Sequence, residues 1–256
     1  MFDNRGDSPR SGGTIGPRIA AIPFRESSDG RLLQLLSERE RSQLAQIASP
    51  VRFRRGAAIY REGAPADAIY DIAVGVAKTF RTLPDGTRRI AAFLFPDDLL
   101  GLAEEGFYVD SAEAVTPITA YRLPLGALEN LLRNDPTLEF YLLCKLCHEL
   151  REAQRHAFIL GRRRALPKIA MFIQMLGRSE QARERGAAEI YLPMTRSDIA
   201  DYVGMSLPAV SRSFQVIERR GLVRFRDRRH LQIIDQAGLN SLVDEHRGGD
   251  ARDRSA

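Results

Sequence analysis

The sequence lacks any apolar run that approaches the length of a transmembrane helix, which needs about 20 consecutive apolar residues. Its N-terminus also lacks the hydrophobic stretch of a secretory signal peptide. Both absences predict a cytoplasmic protein that has no membrane partner. The 256 residues are 44% hydrophobic, which is enough to build two domains with separate cores.

The motifs of common enzymes are missing as well. No glycine-rich phosphate loop follows a strand, no paired metal-ligand motif occurs, and no serine or cysteine stands in a recognisable nucleophile elbow. We therefore do not expect an enzyme. The net charge of +5 favours a polyanionic partner, although an excess of this size fits many soluble proteins.

Residues 195–221 read TRSDIADYVGMSLPAVSRSFQVIERRG, which predicts two short helices joined by a glycine turn. Thr195 and Asp198 have the spacing of a capping box at the start of the first helix. Gly204 can take the left-handed conformation that ends this helix. Ser206 can cap the second helix, and Pro208 is tolerated in its first turn. The pattern is that of a DNA-reading helix-turn-helix.

The second helix is amphipathic. Its apolar side carries Val210, Phe214 and Ile217, and its polar side carries Pro208, Ser211, Arg212, Gln215 and Arg219. An arginine can donate two hydrogen bonds to guanine, a pairing worth about 1–3 kcal/mol of discrimination, and glutamine suits adenine. The same polar side would also fit the solvated back of an ordinary core helix.

A basic hairpin follows the second helix and favours the DNA-reading interpretation. Two apolar segments, Leu222–Phe225 and Leu231–Ile234, have the pattern of strands and flank a run of basic residues. Such a wing can lie along a phosphate backbone. The predicted DNA-binding residues are Thr195, Arg196, Ser206, Pro208, Ala209, Ser211, Arg212, Gln215, Arg219, Arg228 and Arg229.

The segment 51–123 alternates with period two between turn signals, which predicts an antiparallel β domain. A short helix, Ser37–Ser49, is predicted before it. Asp85-Gly86 is interpreted as a type I′ hairpin turn, since both residues tolerate a positive φ. The predicted strands are Ala58–Tyr60, Ala68–Val76, Ala77–Thr82, Arg88–Phe95, Ser111–Val115 and Ile118–Leu123.

A long helix is predicted from Pro136 to about Leu160, because apolar residues recur there at intervals of three and four without glycine or proline. Pairing with the same helix of a second copy would bury this stripe and place two recognition helices about 34 Å apart. Packing of the helix against its own β domain is the alternative. The predicted dimerisation residues are Leu138, Leu142, Leu146, Leu150, Ala153, Ala157 and Leu160.

These patterns divide the chain into five segments. The α+β fold has an N-terminal tail (1–28), a β domain (29–134), a dimerisation helix (135–163), a winged helix-turn-helix domain (164–246) and a C-terminal tail (247–256). Both tails have the composition of disordered chain.

The order of these elements, together with MTRSDIADYVGMSLPAVSR and GVAKTF, resembles the Crp/Fnr family of bacterial transcription regulators from about Arg31 to Leu242. The segments YVDSAEAV and LPMTRSDIADYVG most resemble the FixK and Fnr branch. The resemblance implies a jelly-roll-like β-roll and a homodimer that binds a palindromic site in double-stranded DNA. It also implies contact with RNA polymerase through an exposed loop, for which Asp85-Gly86 is the candidate; an ordinary exposed turn is the alternative.

The resemblance also defines which effectors to expect. Members that bind cyclic AMP use an arginine to neutralise the cyclic phosphate, and Asp110 stands at that position here. A carboxylate would repel the phosphate, and no arginine lies between Arg89 and Arg122. Members that sense oxygen hold a four-iron cluster with four cysteines, whereas this sequence has only two. We expect neither a cyclic nucleotide nor an iron–sulfur cluster.

Cys144 and Cys147 form a C-x-x-C pattern followed by His148, so a redox pair or a metal site between two copies is one interpretation. Small apolar thiols on the buried side of the helix are the simpler one. Haem held by His148 or His156 is another alternative, as is an unidentified small molecule in a pocket bounded by residues 99–108.

The FixK-type resemblance implies an activator that works without a cofactor and serves low-oxygen or nitrogen-fixation genes. One position departs from that branch, which typically has a glutamate where Pro208 stands. Proline cannot accept a hydrogen bond from a base amino group, so we expect an altered half-site preference at that position.

Overall fold

The fold is that of a computed structural model, which describes residues 38–101, 103–178 and 189–244. The two predicted tails, 1–28 and 247–256, lie outside the described residues. In chain order the elements are α1 (Glu38–Ile47), β1 (Ser49–Phe53), β2 (Ala58–Tyr60), β3 (Ala68–Val74), β4 (Ala77–Thr82), β5 (Arg88–Leu94), β6 (Leu99–Leu100), β7 (Ala103–Glu104), β8 (Phe107–Tyr108), β9 (Ser111–Ala114), β10 (Ile118–Pro124), α2 (Leu125–Asn134), α3 (Pro136–Gly161), α4 (Ala165–Gly177), β11 (Glu189–Tyr191), α5 (Arg196–Val203), α6 (Leu207–Arg219), β12 (Val223–Phe225), β13 (His230–Ile233) and α7 (Gln236–Asp244).

The N-terminal half is an antiparallel β-roll, as the sequence predicts. One sheet has the strand order β1-β10-β3-β6 and the other has the order β2-β9-β4-β5, while β7 and β8 form a small hairpin. Residues from both sheets, including Tyr60, Ile72 and Ala112, share one buried core. The alternation of buried and exposed positions along β10 is the source of the period-two pattern in the sequence.

Four strands of the β-roll escape the sequence-based prediction, as does β11 of the C-terminal domain. Three of them, β6, β7 and β8, contain two residues each, which is too short to show a period. The fourth, β1, pairs only with β10 in its sheet and is mostly exposed; it contains Pro50 and Arg52, which obscure an apolar pattern. Ser49 belongs to β1, so the predicted helix Ser37–Ser49 is two residues too long at its C-terminal end.

The turn between β4 and β5 differs in type from the type I′ turn that the sequence predicts. Gly86 has a positive φ of 80°, whereas Asp85 is not among the described residues with positive φ. The amide of Gly86 donates to the Leu83 carbonyl at 2.8 Å, and the amide of Leu83 donates to Thr87. The loop therefore spans Pro84, Asp85 and Gly86, which suits a type I turn followed by a left-handed glycine rather than type I′.

Three helices are not in the sequence-based prediction, namely α2 and α4, which contact the long helix, and α7 at the C-terminal end. The helix α4 buries Ile169, Ala170, Phe172, Ile173 and Leu176, and so shows little of the polar face that reveals helical periodicity. The helix α2 follows directly from β10 and packs beneath α3. The predicted long helix is present as α3, and Asp135 caps it by accepting from the amides of Thr137 and Leu138.

The C-terminal domain combines α4–α7 with a three-stranded sheet of order β11-β13-β12. Its core is continuous with part of the β-roll, since Phe93 on β5 packs in one cluster with Phe172 and Tyr202. No helix among the described residues is long and apolar enough to cross a membrane.

Candidate nucleic-acid interface

The first helix of the predicted motif, α5, is fixed at both ends. The Thr195 hydroxyl accepts a hydrogen bond from the Asp198 amide at 3.0 Å, and the Asp198 carboxylate accepts one from the Thr195 amide at 2.9 Å. This is the predicted capping box. At the C-terminal end, Gly204 has a φ of 65°, and the buried ammonium of Lys168 donates to the Val203 carbonyl at 2.8 Å. The turn into α6 is therefore well defined.

A side chain at position 204 would also be obstructed by its surroundings. A Cβ built there would lie 3.2 Å from Cδ2 of Leu160, at the end of α3. Positive φ and close approach act together, so glycine meets two requirements at this position.

The second helix, α6, presents a polar face to solvent. Ser206 caps it by accepting from the Ala209 amide at 3.4 Å, and Val210, Phe214 and Ile217 anchor it in the core. Among the predicted DNA-binding residues of α6 and its cap, those exposed are Ser206, Pro208, Arg212, Gln215 and Arg219, and those partly buried are Ala209 and Ser211. An exposed arginine, glutamine and hydroxyl on one face can read base edges in a major groove.

The wing beside this face is basic and internally ordered. Arg228 and Arg229 are exposed at the tip of the β12–β13 hairpin. Asp227 organises the tip because its carboxylate accepts from the amides of Arg229 at 2.7 Å and His230 at 3.0 Å. The hydrogen bond from the Arg229 amide, followed by that from the His230 imidazole, lowers the pKa of Asp227 to about 2, so the carboxylate stays ionised. Arg226 pairs with Glu189 at 2.9 Å.

Arg196 differs from the other predicted contacts. Its guanidinium lies over the Phe214 ring, 3.7 Å from the centroid, and 5.1 Å from the Phe225 centroid. Nη1 is buried and has no hydrogen-bond partner among the described residues. Burial lowers the pKa of Arg196 to about 10, at which the group is still a cation at neutral pH. Arg196 thus ties α5 to α6 and is not an open surface arginine.

Comparison with known proteins places this geometry in a family. The model of the Crp-like helix-turn-helix domain matches residues 167–242, and that of the cyclic nucleotide-binding domain matches residues 50–135. The transcriptional activatory protein AadR of Rhodopseudomonas palustris is 33% identical over 189 residues, which are 73% of this chain and 79% of that protein. The nitrogen fixation regulation protein FixK of Bradyrhizobium diazoefficiens is 32% identical over 210 residues, or 81% of this chain and 87% of that protein.

The chain belongs to the Crp/Fnr family of transcription regulators. The structure of FixK2 from Bradyrhizobium japonicum is similar with a TM-score of 0.71 and 29% identity, covering 77% of this chain and 97% of that one. The similarity therefore spans both domains. This similarity confirms the prediction of a DNA-binding regulator with a β-roll and a helix-turn-helix. The relatives of the chain are regulators rather than enzymes.

Tyr60, Tyr108 and Asp110 form a connected group of side chains in the β-roll of this Crp/Fnr chain. Tyr60 stacks on Tyr108 with ring centroids 4.1 Å apart, and its hydroxyl lies 3.3 Å from Oδ1 of Asp110. The hydroxyl of Tyr108 donates to the Ala68 carbonyl at 2.8 Å, and the Gly101 amide donates to Tyr60 at 3.1 Å. Desolvation raises the pKa of Asp110, against hydrogen bonds from Thr79 and Tyr60.

The long helix has an exposed apolar stripe that contains five of the seven predicted dimerisation residues. Residues that pair with a second copy should be exposed in the single chain. This holds for Leu146, Leu150, Ala153, Ala157 and Leu160. Two others require correction, because Leu138 is buried in its own chain and Leu142 packs beside α2. Leu143 is 54% exposed and continues the stripe instead.

The cysteines of α3 point to different surroundings. Cys144 is buried, Cys147 is exposed, and both are free thiols. Desolvation, followed by the nearby Cys147, raises the pKa of Cys144 and disfavours its thiolate. Among the described residues, no group of histidine, cysteine, aspartate and glutamate side chains is placed to hold a metal ion.

Both histidines suggested as haem ligands lie against protein groups. Nε2 of His156 is 2.7 Å from the Tyr202 carbonyl oxygen, and the imidazole stacks on the Tyr202 ring at 3.9 Å. Nε2 of His148 is 3.9 Å from a carboxylate oxygen of Asp98. His156 could ligate haem only if its contact with α5 were broken, so its surroundings do not fit that role.

Proposed function

We propose that this protein binds a palindromic promoter site as a homodimer and activates transcription there. The observation that carries the proposal is the exposed face of α6, on which Arg212 and Gln215 stand beside a basic wing. The N-terminal residues of a recognition helix approach base edges in the major groove, and Arg212 is placed to read a guanine. The wing arginines, Arg228 and Arg229, would neutralise phosphates and make binding dependent on salt.

The exposed stripe on α3 supports the homodimer. Leu143, Leu146, Leu150, Ala153, Ala157 and Leu160 alternate at intervals of three and four, which is the repeat of a two-stranded coiled coil. Pairing of two such stripes would remove several exposed leucines from water and generate a two-fold axis. A two-fold dimer matches a palindrome whose half-sites lie about one helical turn apart.

We propose that DNA binding needs neither a cyclic nucleotide nor an iron–sulfur cluster. Asp110 would repel a cyclic phosphate, and its carboxylate already has a partner in the hydroxyl of Tyr60. The sequence has two cysteines, which are too few for a four-cysteine cluster. Regulation would then act through the amount of protein. A small molecule bound near residues 99–108 is the alternative, and stabilisation of the protein in a metabolite screen would reveal it.

The names of the relatives suggest the physiological setting. FixK proteins are named for regulation of nitrogen fixation, and AadR is named as a transcriptional activator. We propose that this regulator serves low-oxygen or nitrogen-fixation genes in the cytoplasm. The exposed hairpin at Asp85 and Gly86 is the candidate contact with RNA polymerase.

Selection from a pool of randomised duplexes tests this function with the full-length protein. We expect a palindrome with a guanine in each half-site, bound equally well with and without added cyclic AMP. Recovery of no consensus, or of a single half-site bound by a monomer, would overturn the proposal. A requirement for cyclic AMP would overturn its effector-free part alone.

A further inference from the structure

A buried lysine joins the β-roll to the first helix of the DNA-binding motif. Nζ of Lys78, on β4, lies 2.7 Å from Oδ1 of Asp198 on α5 and 3.1 Å from Oε1 of Glu113 on β9. The exposed fraction of the side chain is 9% for Lys78, 14% for Asp198 and 23% for Glu113. A charge this deeply buried is retained only when it is well paired, so the cluster fixes the two domains against each other.

The carboxylate of Asp198 performs two tasks at once. Its Oδ2 accepts from the Thr195 amide at 2.9 Å and from the Thr195 hydroxyl at 2.7 Å, while its Oδ1 accepts from Lys78. Desolvation raises its pKa, but the hydrogen bonds from Lys78 and Thr195 outweigh this and keep the pKa below the ordinary value. The residue that caps α5 is thus also the residue that holds α5 to the β-roll.

Aromatic packing extends the same contact along α5. The Tyr202 ring lies 5.1 Å from the Phe93 ring of β5 and stacks on His156 of α3 at 3.9 Å. Nε2 of His156 is within hydrogen-bond distance of the Tyr202 carbonyl. The inner side of α5 is therefore held by β4, β5 and α3 together.

This contact leaves the DNA-facing surface open. Pro208, Arg212 and Gln215 on α6 remain exposed, as do the wing arginines, while α5 contacts the β-roll through Asp198 and Tyr202. The contact does not cover the recognition face, so its effect is to orient that face.

We propose that Lys78, through Asp198 and Glu113, is a positioning residue that holds the helix-turn-helix in a DNA-competent orientation without an effector. The proposal rests on the DNA-binding dimer described above. In a dimer, two recognition helices must keep one separation to meet both half-sites, and a domain free to pivot would meet them only part of the time. Apparent affinity falls with the population of the competent orientation.

Substitution of Lys78 by methionine in the full-length protein tests this role. Lys78→Met should weaken binding to the selected palindrome roughly tenfold, within the range of about 5- to 150-fold that coupling between sites commonly gives. The matched control is Arg81→Met on the same strand. Arg81 is exposed and pairs at 2.9 Å with Glu62, which belongs to the β-roll as well. The control should stay within about twofold of wild type, as exposed substitutions generally do.

Spacing selectivity separates positioning from simple destabilisation. We expect the wild-type protein to lose affinity when two base pairs are inserted between the half-sites, and Lys78→Met to lose much less. A variant that is merely less stable would lose affinity equally on every spacing. Equal spacing selectivity in wild type and Lys78→Met would overturn the proposal.

A double-mutant cycle identifies the partner. Asp198→Asn keeps a side-chain oxygen that can accept from the Thr195 amide but loses the charge that faces Lys78. If the two residues act together, the double variant should bind DNA about as well as the weaker single variant; additive losses would contradict the proposal. If wild type itself selects no palindrome, the proposed function fails, whereas wild-type selection with an unaffected Lys78→Met overturns this inference alone.

Discussion

The guanidinium of Arg196, at the start of α5, lies 3.7 Å from the centroid of the Phe214 ring in the middle of α6. The two helices of the motif are therefore joined by a cation over an aromatic face as well as by apolar packing. An interaction of this kind contributes about 0.5–2 kcal/mol, and more when it is shielded from water.

Arg196→Ala should reduce the free energy of unfolding by about 1–2 kcal/mol, because it removes this contact and leaves a gap over Phe214. Urea unfolding followed by circular dichroism measures the change. Arg219→Ala, which removes an exposed arginine from the last turn of α6, is the control and should change stability by less than about 0.5 kcal/mol. Equal losses in both variants would show that the contact with Phe214 contributes nothing specific.

Leu150→Asp should convert the proposed dimer to a monomer. Leu150 is 60% exposed in the single chain and lies in the centre of the apolar stripe of α3, so two aspartates would face each other across the interface. Sedimentation velocity at micromolar concentration measures the mass. Leu83→Asp changes a leucine that is 41% exposed on the β4–β5 hairpin and should leave the dimer intact. A Leu150→Asp variant that is still dimeric would show that the stripe on α3 is not the dimer interface.

Pro208→Glu should change the half-site at one base pair. Leu207 is 47% exposed and precedes Pro208, so the first turn of α6 offers an apolar surface that suits the methyl group of thymine. A glutamate there could accept from a cytosine or adenine amino group instead. Selection from randomised duplexes should show this shift, with the guanine read by Arg212 unchanged. An identical consensus for both proteins would contradict the contact.

A simpler test of the same contact uses modified DNA. Replacing that thymine by uracil removes only the C5-methyl group. The wild-type protein should bind the uracil duplex less tightly than the thymine duplex, whereas Pro208→Glu should not distinguish them. Equal wild-type affinities would show that the apolar first turn of α6 does not read the methyl group.

Stability should fall as the pH rises from about 4 to about 8. Desolvation is the main cause that raises the pKa of Asp98 to about 7, against a hydrogen bond from the Phe95 amide. Desolvation and then the charge of Asp98 raise the pKa of Glu149, on α3, to about 8. Their unfolded values are near 4, so in this window the folded state binds more protons, and each rise in pH favours unfolding.

The variants Asp98→Asn and Glu149→Gln remove these protonation changes. Each should unfold at a higher urea concentration than wild type at pH 8 and show a smaller difference between pH 5 and pH 8. The amide oxygen that Asp98→Asn introduces can still accept from the Phe95 amide, so the loop after β5 should be preserved. If the stability of wild type and of both variants changed equally between pH 5 and pH 8, Asp98 and Glu149 would not be the groups responsible.

Local signals make the DNA-binding motif predictable from sequence. The Thr195–Asp198 capping box, the left-handed Gly204 and the Ser206 cap each depend on residues within a few positions of one another. The apolar face of α6 follows from helical periodicity alone. Features that depend only on residues within one or two helical turns can therefore be predicted from the sequence.

Contacts between distant segments could not be predicted in this way. Lys78 and Asp198 are separated by 120 positions, and nothing in either local sequence indicates the other. The stacking of Arg196 on Phe214 depends on how α5 crosses α6. The sequence also could not show that Leu142 packs inward and Leu143 is exposed, because both are apolar and only the position of α2 decides between them.

On the proposed function, the exposed face of α6 reads DNA through Arg212. The most direct measurement is a competition gel-shift with the selected palindrome, comparing wild type and Arg212→Ala against duplexes in which the guanine of each half-site is changed. Wild type should discriminate by about 1–3 kcal/mol per half-site, and Arg212→Ala should lose that discrimination while still binding DNA. If Arg212→Ala keeps the wild-type preference for guanine, Arg212 does not read the site.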